Sequence, residues 1–349
     1  MGALDMLIRL AQRRFMRPVV RLADAAVSEF EAQRYQLLPP VYTRTAQTPR
    51  DPSRHLALVT GYFSNDLGRA TFGDTEAMRV VTSWLEELGI PYDVAGTEGN
   101  GISGVDLERV DPAPYTIFIF VCGPWLEPHN RMLKRFSHAF KIGVNLSIEA
   151  GVSHGFDLLV ARDLPDQQSP DLVFGARLER RPLAGIILAH LQFEYGKRQA
   201  HRRVADVVAS YLRRDEVVGI PLDTTHLYNV AGITTAEQLD NIVRRLDVVI
   251  TTRLHGMVFA LKNGVPVVAI DAIAGGAKVT KQAQALGWPL VFDGGIVTEK
   301  EIAGAVARCL RGELKGVMGQ LQGSARSGVD RMHARFVETV RALPVGTRP

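Results

Sequence analysis

"TTRLHGMVFALKNGVPVVAID", residues 251–271, contains the pattern that decides the fold. The apolar run "LDVVI" before it predicts a buried strand at 247–252, and the stretch 265–271 predicts a second one. Between them, helical spacing over 255–263 ends at Gly264, a residue type that commonly closes helices. Arg253 and His255 therefore stand at the point where a strand ends and a helix begins.

The same alternation of short apolar runs with helical spacing occupies most of the chain. Strands are predicted at 55–62, 91–96, 115–123, 141–148, 156–163, 184–191, 216–223, 247–252, 265–271 and 289–293. Helices are predicted at 74–89, 129–139, 197–214, 234–246, 255–263, 278–286, 298–311 and 326–342. Continuous apolar strands between amphipathic helices are typical of parallel sheets covered on both faces. The fold class predicted is α/β, with two Rossmann-like doubly wound domains facing a cleft in a GT-B-like layout.

The composition of the linking segments predicts the domain boundaries. Residues 36–54 hold four prolines and little periodicity, so 1–54 is predicted to be an N-terminal helical arm and linker. The first Rossmann-like domain is predicted at 55–181 and the second at 182–325. Residues 326–349 are predicted to be a C-terminal helix and tail, which could cross back to the first domain.

The overall composition is that of a globular protein in a reducing compartment. Hydrophobic residues make up 46% of the 349-residue chain, the net charge is +4, and no dense basic run carries interleaved aromatic residues. Nucleic acid is therefore not expected as a partner. Cys122 and Cys309 lack metal-ligand spacing, no apolar stretch is long enough to span a membrane, and the N-terminus lacks a signal-peptide pattern. A cytoplasmic location is expected.

The N-terminal helix has two interpretations. Apolar residues follow helical spacing among five arginines, at Arg9, Arg13, Arg14, Arg17 and Arg21. Such a helix could rest on an anionic membrane surface at the inner face of the plasma membrane. It could equally pack on the protein's own core or on a second subunit, which would make the protein a homo-oligomer.

The junction at Arg253 has the chemistry of an anion site. Unpaired N–H groups and the positive end of the helix dipole favour an anion at a helix N-terminus. Arg253 adds a planar fork of donors, and His255 can transfer a proton near neutral pH. Lys278, which follows the loop "DAIAGG" at a second strand–helix junction, could reach the same anion. The opposing interpretation is that Arg253 pairs with a structural carboxylate while His255 only caps the helix.

The stretch "ITTRLHGMVFALKNGVPVVAIDAIAGGAKV" resembles the signature of the polysaccharide pyruvyl transferase family. Upstream, "GYFSNDLGRATFGDTEAM" at 61–78 resembles the family's glycine-rich turn, with Gly73 and Asp74 at its core. "VARD" at 160–163 matches an Arg-Asp pair near the end of the family's first domain. The resemblance covers about residues 55–310. Thr252 replaces the usual serine, and "CGPW" at 122–125 replaces a glycine-rich turn.

The resemblance implies a transferase that moves the enolpyruvyl group of phosphoenolpyruvate onto two sugar hydroxyls and forms a pyruvate ketal. Phosphoenolpyruvate would then be a substrate bound by Arg253, Leu254 and His255, with Lys278 added from residue chemistry. His255 is the predicted proton-transfer group and Asp74 a candidate base, against the alternative that Asp74 only caps a helix. The first domain would take the acceptor, a polysaccharide, oligosaccharide or glycolipid, and the second the donor. No cofactor and no metal are expected.

Two other functions remain open. A glycosyltransferase of the same layout commonly places a glutamate in this helix to bind the ribose of a nucleotide sugar, where this chain has Phe259. A non-catalytic carbohydrate-binding protein would keep its function when Arg253 and His255 are replaced by alanine. No GxGxxG fingerprint follows a predicted strand, so a dehydrogenase is not favoured. No serine-centred nucleophile elbow is present.

Overall fold

The computed structural model describes residues 42–43, 54–64, 70–96, 102–148, 152–164, 166–190, 193–225 and 232–343. The predicted N-terminal helix, with its membrane or subunit contact, lies outside these ranges. The described residues divide into two compact units, of which the first ends at Glu179 and the second begins at Arg180.

The N-terminal unit is a parallel sheet with helices between its strands. Its main strands are β1 (Ala57–Gly61), β2 (Tyr92–Gly96), β3 (Ile117–Val121), β4 (Phe140–Ile148) and β5 (Leu158–Ala161). They pair in the order β2-β1-β3-β4-β5, every pair parallel. Its helices are α1 (Phe72–Glu87) and α2 (Asn130–Arg135), with 3-10 turns at Tyr62–Ser64, Glu127–His129 and Leu172–Gly175. Two-residue strands lie at Tyr42–Thr43, Ile102–Ser103, Val105–Asp106, Pro124–Trp125, Asp163–Leu164 and Gln167–Gln168.

The C-terminal unit has a five-stranded parallel sheet. Its strands are β6 (Leu183–Ile187), β7 (Val218–Pro221), β8 (Val248–Thr251), β9 (Val267–Asp271) and β10 (Val291–Asp293). The helices are α3 (His201–Leu212), α4 (Ala236–Val243), α5 (Leu254–Lys262), α6 (Lys278–Leu286), α7 (Glu299–Leu310) and α8 (Lys315–Ala342), with a 3-10 turn at Phe193–Arg198. The order β7-β6-β8-β9-β10 repeats that of the N-terminal unit. Both units are therefore Rossmann-like, which confirms the predicted fold class for each.

The core of the C-terminal unit explains why its strands read as continuous apolar runs. Every residue of β8 and β9 is buried, because helices cover both faces of a parallel sheet. Helices α3 and α7 pack against each other, while α4, α5 and α6 pack in succession. A strand buried on both faces cannot show the alternation of a half-exposed one.

The strand order places a switch point between β6 and β8. The chain leaves β6 to one side to form β7 and returns to the other side to form β8. In open α/β sheets, ligands bind beyond the carboxyl ends of the strands at such a point. The residues that follow β6, β7 and β8 are therefore the ones that this fold brings together.

Several helix starts differ from the prediction. Helix α3 begins at His201 rather than at 197, where the chain still forms the 3-10 turn Phe193–Arg198. Helix α1 begins earlier than expected, because Thr71, and not Asp74, is its N-cap, with Asp74 completing a capping box. Helix α8 begins at Lys315 rather than at 326 and forms part of the C-terminal unit. A capping box from Thr235 to Gln238 opens α4.

None of the helices in the described ranges combines the length and apolar content that crossing a bilayer requires.

Candidate functional site

Two threonines fasten the end of β8 to the end of β6 at the switch point. The Thr251 hydroxyl donates to the Ile187 carbonyl at 2.8 Å and accepts the Arg253 N–H at 2.9 Å. The Thr252 hydroxyl accepts the Ala189 N–H at 2.6 Å. Both threonines are buried. Side-chain hydrogen bonds thus take over where the strand ladder stops, and they fix the backbone that carries Arg253.

Helix α5 presents its positive end at this point. Arg253 is its N-cap, with extended backbone and no side-chain cap bond, and the first turn contains no acidic residue. The Met257 N–H is the first to bond back, to the Arg253 carbonyl at 3.1 Å. The amides of Leu254, His255 and Gly256 therefore have no acceptor within the helix. Such amides and the helix dipole stabilise a bound anion.

The guanidinium of Arg253 is held from one side. Its Nε donates to the Leu188 carbonyl at 3.3 Å, and its Nη2 lies 3.4 Å from Oδ1 of Asp223. The side chain keeps 19% exposure, so it is neither sealed in the core nor fully solvated. Among the described residues Asp223 is the carboxylate paired with it. The interpretation that Arg253 meets a structural carboxylate is thus correct in part, while part of the side chain stays exposed.

His255 and Leu254 occupy the first turn of α5 with different surroundings. His255 is exposed, and its ring makes no hydrogen bond, ion pair or aromatic contact with the other described residues. Leu254 is half-buried and packs against the apolar core of the unit. The imidazole of His255 is thus placed to meet a ligand at the helix start, and Leu254 can contribute only its backbone N–H.

Gly256 packs the helix onto the sheet. A Cβ at this position would lie 2.5 Å from the Thr251 hydroxyl and 3.0 Å from a methyl of Ile187. A side chain here would push α5 away from β6 and β8.

We expect Gly256→Ala to lower the free energy of unfolding by about 1–3 kcal/mol, the usual cost of overpacking a filled interior. Gly304→Ala is the matched control, since it lies inside α7 and its added Cβ would meet nothing within 4 Å. Alanine there is expected to stabilise by up to about 1 kcal/mol. Urea unfolding of both variants measures the difference, and equal effects would remove the packing role of Gly256.

Lys278 is the first residue of α6, at the carboxyl edge of β9, and its side chain is exposed. The loop before it is ordered by Asp271, whose Oδ2 accepts the Ala277 N–H at 2.6 Å and the Thr280 N–H at 2.9 Å. Because β8 and β9 are parallel neighbours, Lys278 lies at the same edge of the sheet as Arg253. The structure therefore places both predicted cations along one edge.

Asp74 lies in the N-terminal unit, in the first turn of α1. Its Oδ2 accepts the Thr71 N–H at 2.7 Å and the Thr71 hydroxyl at 2.9 Å. Burial, reinforced by the Asp74 carboxylate, raises the pKa of the neighbouring Cys122 thiol well above its usual value. Asp74 thus has a structural role in the capping box, and the proposed role as a base stays a prediction.

Arg162 and Asp163, the pair noted in "VARD", also lie in the N-terminal unit. Nη1 of Arg162 lies 2.9 Å from Oδ2 of Asp171, and its Nη2 donates to the Ser147 hydroxyl at 2.6 Å. Hydrogen bonds from Ser147 to Asp163 and from Asn145 to Asp171 extend the cluster. These groups hold the carboxyl ends of β4 and β5 together.

His190 and Asp223 are two further polar residues at the switch point of the C-terminal unit. The sequence analysis does not identify Asp223 as a site residue. Nε2 of His190 lies 2.9 Å from Oδ2 of Asp223. Burial alone would raise the pKa of the Asp223 carboxyl, but the His190 hydrogen bond, the Arg253 charge and the Thr225 amide hold it below its usual value. A signal was present in "PLD", which puts a carboxylate directly after a strand at the ligand-binding edge.

In the described part of the chain, no three histidine, cysteine or acidic side chains are grouped so as to hold a metal ion.

Comparison with known proteins gives one family match and several distantly similar structures. Residues 164–272 match the family model described as "Polysaccharide pyruvyl transferase". This range includes His190, Asp223, Arg253 and His255, and excludes Asp74 and Lys278. It is narrower than the resemblance expected over 55–310. No curated protein matches the chain.

Similar solved structures include several glycosyltransferases. A glycotransferase of kitacinnamycin is 12% identical with a TM-score of 0.31, over 85% of this chain and 100% of that one. The spinosyn rhamnosyltransferase SpnG, complexed with thymidine diphosphate, is 11% identical with a TM-score of 0.28, over 78% and 96%. The glycosyltransferase SnogD from Streptomyces nogalater is 13% identical with a TM-score of 0.27, over 77% and 94%.

The family match confirms the resemblance drawn from the "RLHG" signature. It spans β6 to β9, the strands that form the switch point and its neighbours. The segment that carries Arg253 and His255 is thus the part of this chain that is similar to the polysaccharide pyruvyl transferases, a family of transferases.

Proposed function

We propose that the protein is a ketal-forming pyruvyl transferase whose donor is phosphoenolpyruvate. The observation that carries the proposal is the start of α5, where amides without a partner in the helix, a partly exposed arginine side chain and an exposed imidazole lie at one switch point. The family match over residues 164–272 supports it. A small donor with a phosphate and a carboxylate suits this edge, because one cation can hold each anion.

The reaction needs one proton delivered and two removed. Protonation of the donor's methylene carbon gives a methyl group and an oxocarbenium-like centre at the adjacent carbon. One sugar hydroxyl adds to that centre and loses its proton, the phosphate leaves, and the second hydroxyl adds and loses its proton. One of the two released protons balances the methylene protonation and the other leaves with the phosphate.

We assign roles from chemistry and placement. Arg253 binds an anion of the donor through its exposed donors, together with the amides of Leu254 and His255. His255 transfers a proton to the donor or stabilises the leaving phosphate, since an imidazole changes charge near neutral pH. Lys278 supplies a second positive charge. Asp74 is the candidate base for the acceptor hydroxyls. Fixed positive groups of this kind stabilise charge that develops during reaction.

The acceptor is proposed to be a sugar of a polysaccharide, an oligosaccharide or a glycolipid. A nucleotide sugar is the competing donor. Phe259, at the place where a glutamate would bind ribose, is half-buried against the core and close to Lys262, whose Nζ lies 5.8 Å from the ring centroid. A phenyl ring cannot accept hydrogen bonds from ribose hydroxyls, so this helix favours the smaller donor.

A thermal-shift panel tests the donor. Phosphoenolpyruvate at about a hundred times its Kd is expected to add about 2.7 kcal/mol of stability, whereas nucleotide sugars leave the melting temperature unchanged. Lys278→Ala is expected to reduce the shift. Lys281→Ala, an exposed lysine of the same helix, is the matched control and is expected to keep it.

The panel also decides between the competing functions. A shift with a nucleotide sugar and none with phosphoenolpyruvate would replace the pyruvyl transferase by a glycosyltransferase. Stabilisation by free glycans alone would favour a carbohydrate-binding protein.

A further inference from the structure

Three contacting side chains lie in a row at the switch point of the C-terminal unit. His190 follows β6, Asp223 follows β7 and Arg253 follows β8, and these strands are neighbours in the sheet. Asp223 lies in the middle, with Oδ2 at 2.9 Å from Nε2 of His190 and Oδ1 at 3.4 Å from Nη2 of Arg253. The Thr225 N–H also donates to Oδ1 at 2.9 Å. The carboxylate therefore links the imidazole to the proposed donor-binding arginine.

Burial strengthens the electrostatic interactions among these three side chains. The Asp223 side chain is only 9% exposed, and those of His190 and Arg253 are 21% and 19% exposed. Unit charges about 4 Å apart interact several times more strongly at the effective dielectric constant of a protein surface than in bulk water. An anion that binds Arg253 thus meets a second, fixed anion on the same guanidinium.

The protonation state of His190 decides how strongly Asp223 opposes the donor. With a neutral imidazole, Asp223 and Arg253 cancel, and the three side chains carry no net charge. With a protonated imidazole, the carboxylate is neutralised from its other side, and the net charge is positive. An anion should therefore bind more tightly to the form in which His190 is protonated.

We propose that His190 and Asp223 are positioning residues which hold Arg253 and couple donor binding to the uptake of one proton by His190. This inference rests on the proposed function, because it takes phosphoenolpyruvate as the anion. Among the described residues, the charged group that His190 contacts is Asp223, from the end of β7, and the charged group that Asp223 contacts besides His190 is Arg253, from the start of α5. His255 is a further titratable group, in the first turn of α5 next to Arg253.

The test measures the Kd of phosphoenolpyruvate by calorimetry at about pH 6 and about pH 8.5, on either side of the ordinary histidine pKa of about 6.5. The proteins are the wild type, His190→Gln and Asp223→Asn. Ionisation of the donor's phosphate, like any effect of pH outside this pair, is common to all three. The ratio of two Kd values at one pH therefore isolates the pair.

The two variants are expected to change that ratio at opposite ends of the pH range. His190→Gln removes the positive charge that neutralises Asp223 at low pH, so its Kd is about tenfold above that of the wild type at low pH and close to it at high pH. Asp223→Asn removes the competing charge and also the partner that holds a proton on His190. At low pH these two charge losses offset each other, so its Kd is close to that of the wild type. At high pH, where His190 is neutral in both proteins, its Kd is about tenfold below that of the wild type. His138→Gln, an exposed histidine of the N-terminal unit bonded to the Pro112 carbonyl, is the control and keeps both values.

A pH-independent ratio for His190→Gln, or weaker binding by Asp223→Asn at both pH values, would overturn the inference and leave the pair a structural contact. If Asp223→Asn does not fold, as checked by its melting curve, the ratio for His190→Gln decides alone. If the wild type binds phosphoenolpyruvate but the variants do not show these Kd ratios, only the coupling to His190 is contradicted. If the wild type does not bind phosphoenolpyruvate at all, the proposed function is contradicted, and this inference with it.

Discussion

Replacing His255 by glutamine is expected to lower kcat for pyruvyl transfer by between about 10²- and 10⁴-fold, the usual contribution of a positioned acid or base. Glutamine keeps a hydrogen-bond donor of similar length but cannot deliver a proton. His255 is exposed at the start of α5, so the free energy of unfolding should change by no more than about 0.5 kcal/mol. The loss would therefore be one of chemistry and not of folding.

The rate is measured as phosphate released from phosphoenolpyruvate, with a panel of hexose-terminated oligosaccharides whose hydroxyl pairs can close a six-membered ketal. His333→Gln, an exposed histidine of α8, is the control and should keep the wild-type rate. A His255→Gln protein that turns over as fast as the wild type would remove His255 from the chemistry and leave it, at most, a phosphate contact.

Arg253→Lys is expected to lower kcat/KM for phosphoenolpyruvate by about 10²-fold, a value typical of losing one preorganised donor. Lysine keeps the positive charge and can still approach Asp223, so the fold is expected to survive. It lacks the planar fork that contacts the Leu188 carbonyl, Asp223 and an incoming anion at the same time. The effect thus separates geometry from charge.

Arg244→Lys is the matched control for this experiment. Arg244 is also paired with an aspartate of the C-terminal unit, Asp240, but it is half exposed and lies at the end of α4. Its replacement should leave kcat/KM unchanged. If Arg253→Lys also left kcat/KM unchanged, the guanidinium of Arg253 would have no part in donor binding. Its pairing with Asp223 would then be its whole role.

Local patterns were sufficient to predict most elements of the fold. Helix α6 begins and ends at the predicted residues, 278 and 286, because an exposed polar face and a glycine stop are both local signals. Helix α8 was predicted to start too late, since Gly316, Gly319 and Gly323 weaken helical propensity there. Packing of Met318 and Leu321 against the core stabilises that first part nevertheless. The start of α1 was missed because aspartate, and not glutamate or glutamine, completes its capping box.

Only those features of the candidate site that depend on a single strand–helix junction could be predicted from the sequence. Arg253 and His255 could be placed at a strand end from their flanking residues alone. The contact between Arg253 and Asp223 depends on the strand order β7-β6-β8, and local periodicity does not encode which strands are neighbours. For the same reason, the packing of Gly256 against Ile187 of β6 could not be anticipated.

A crystal structure of the protein soaked with phosphoenolpyruvate tests the central claim most directly. The account predicts the ligand at the start of α5, with one of its anions within hydrogen-bond distance of the Arg253 guanidinium and of the Leu254 or His255 amide. The imidazole of His255 should lie within reach of the methylene carbon or of the phosphate. Phosphoenolpyruvate bound elsewhere, with Arg253 still engaged by Asp223 alone, would contradict it.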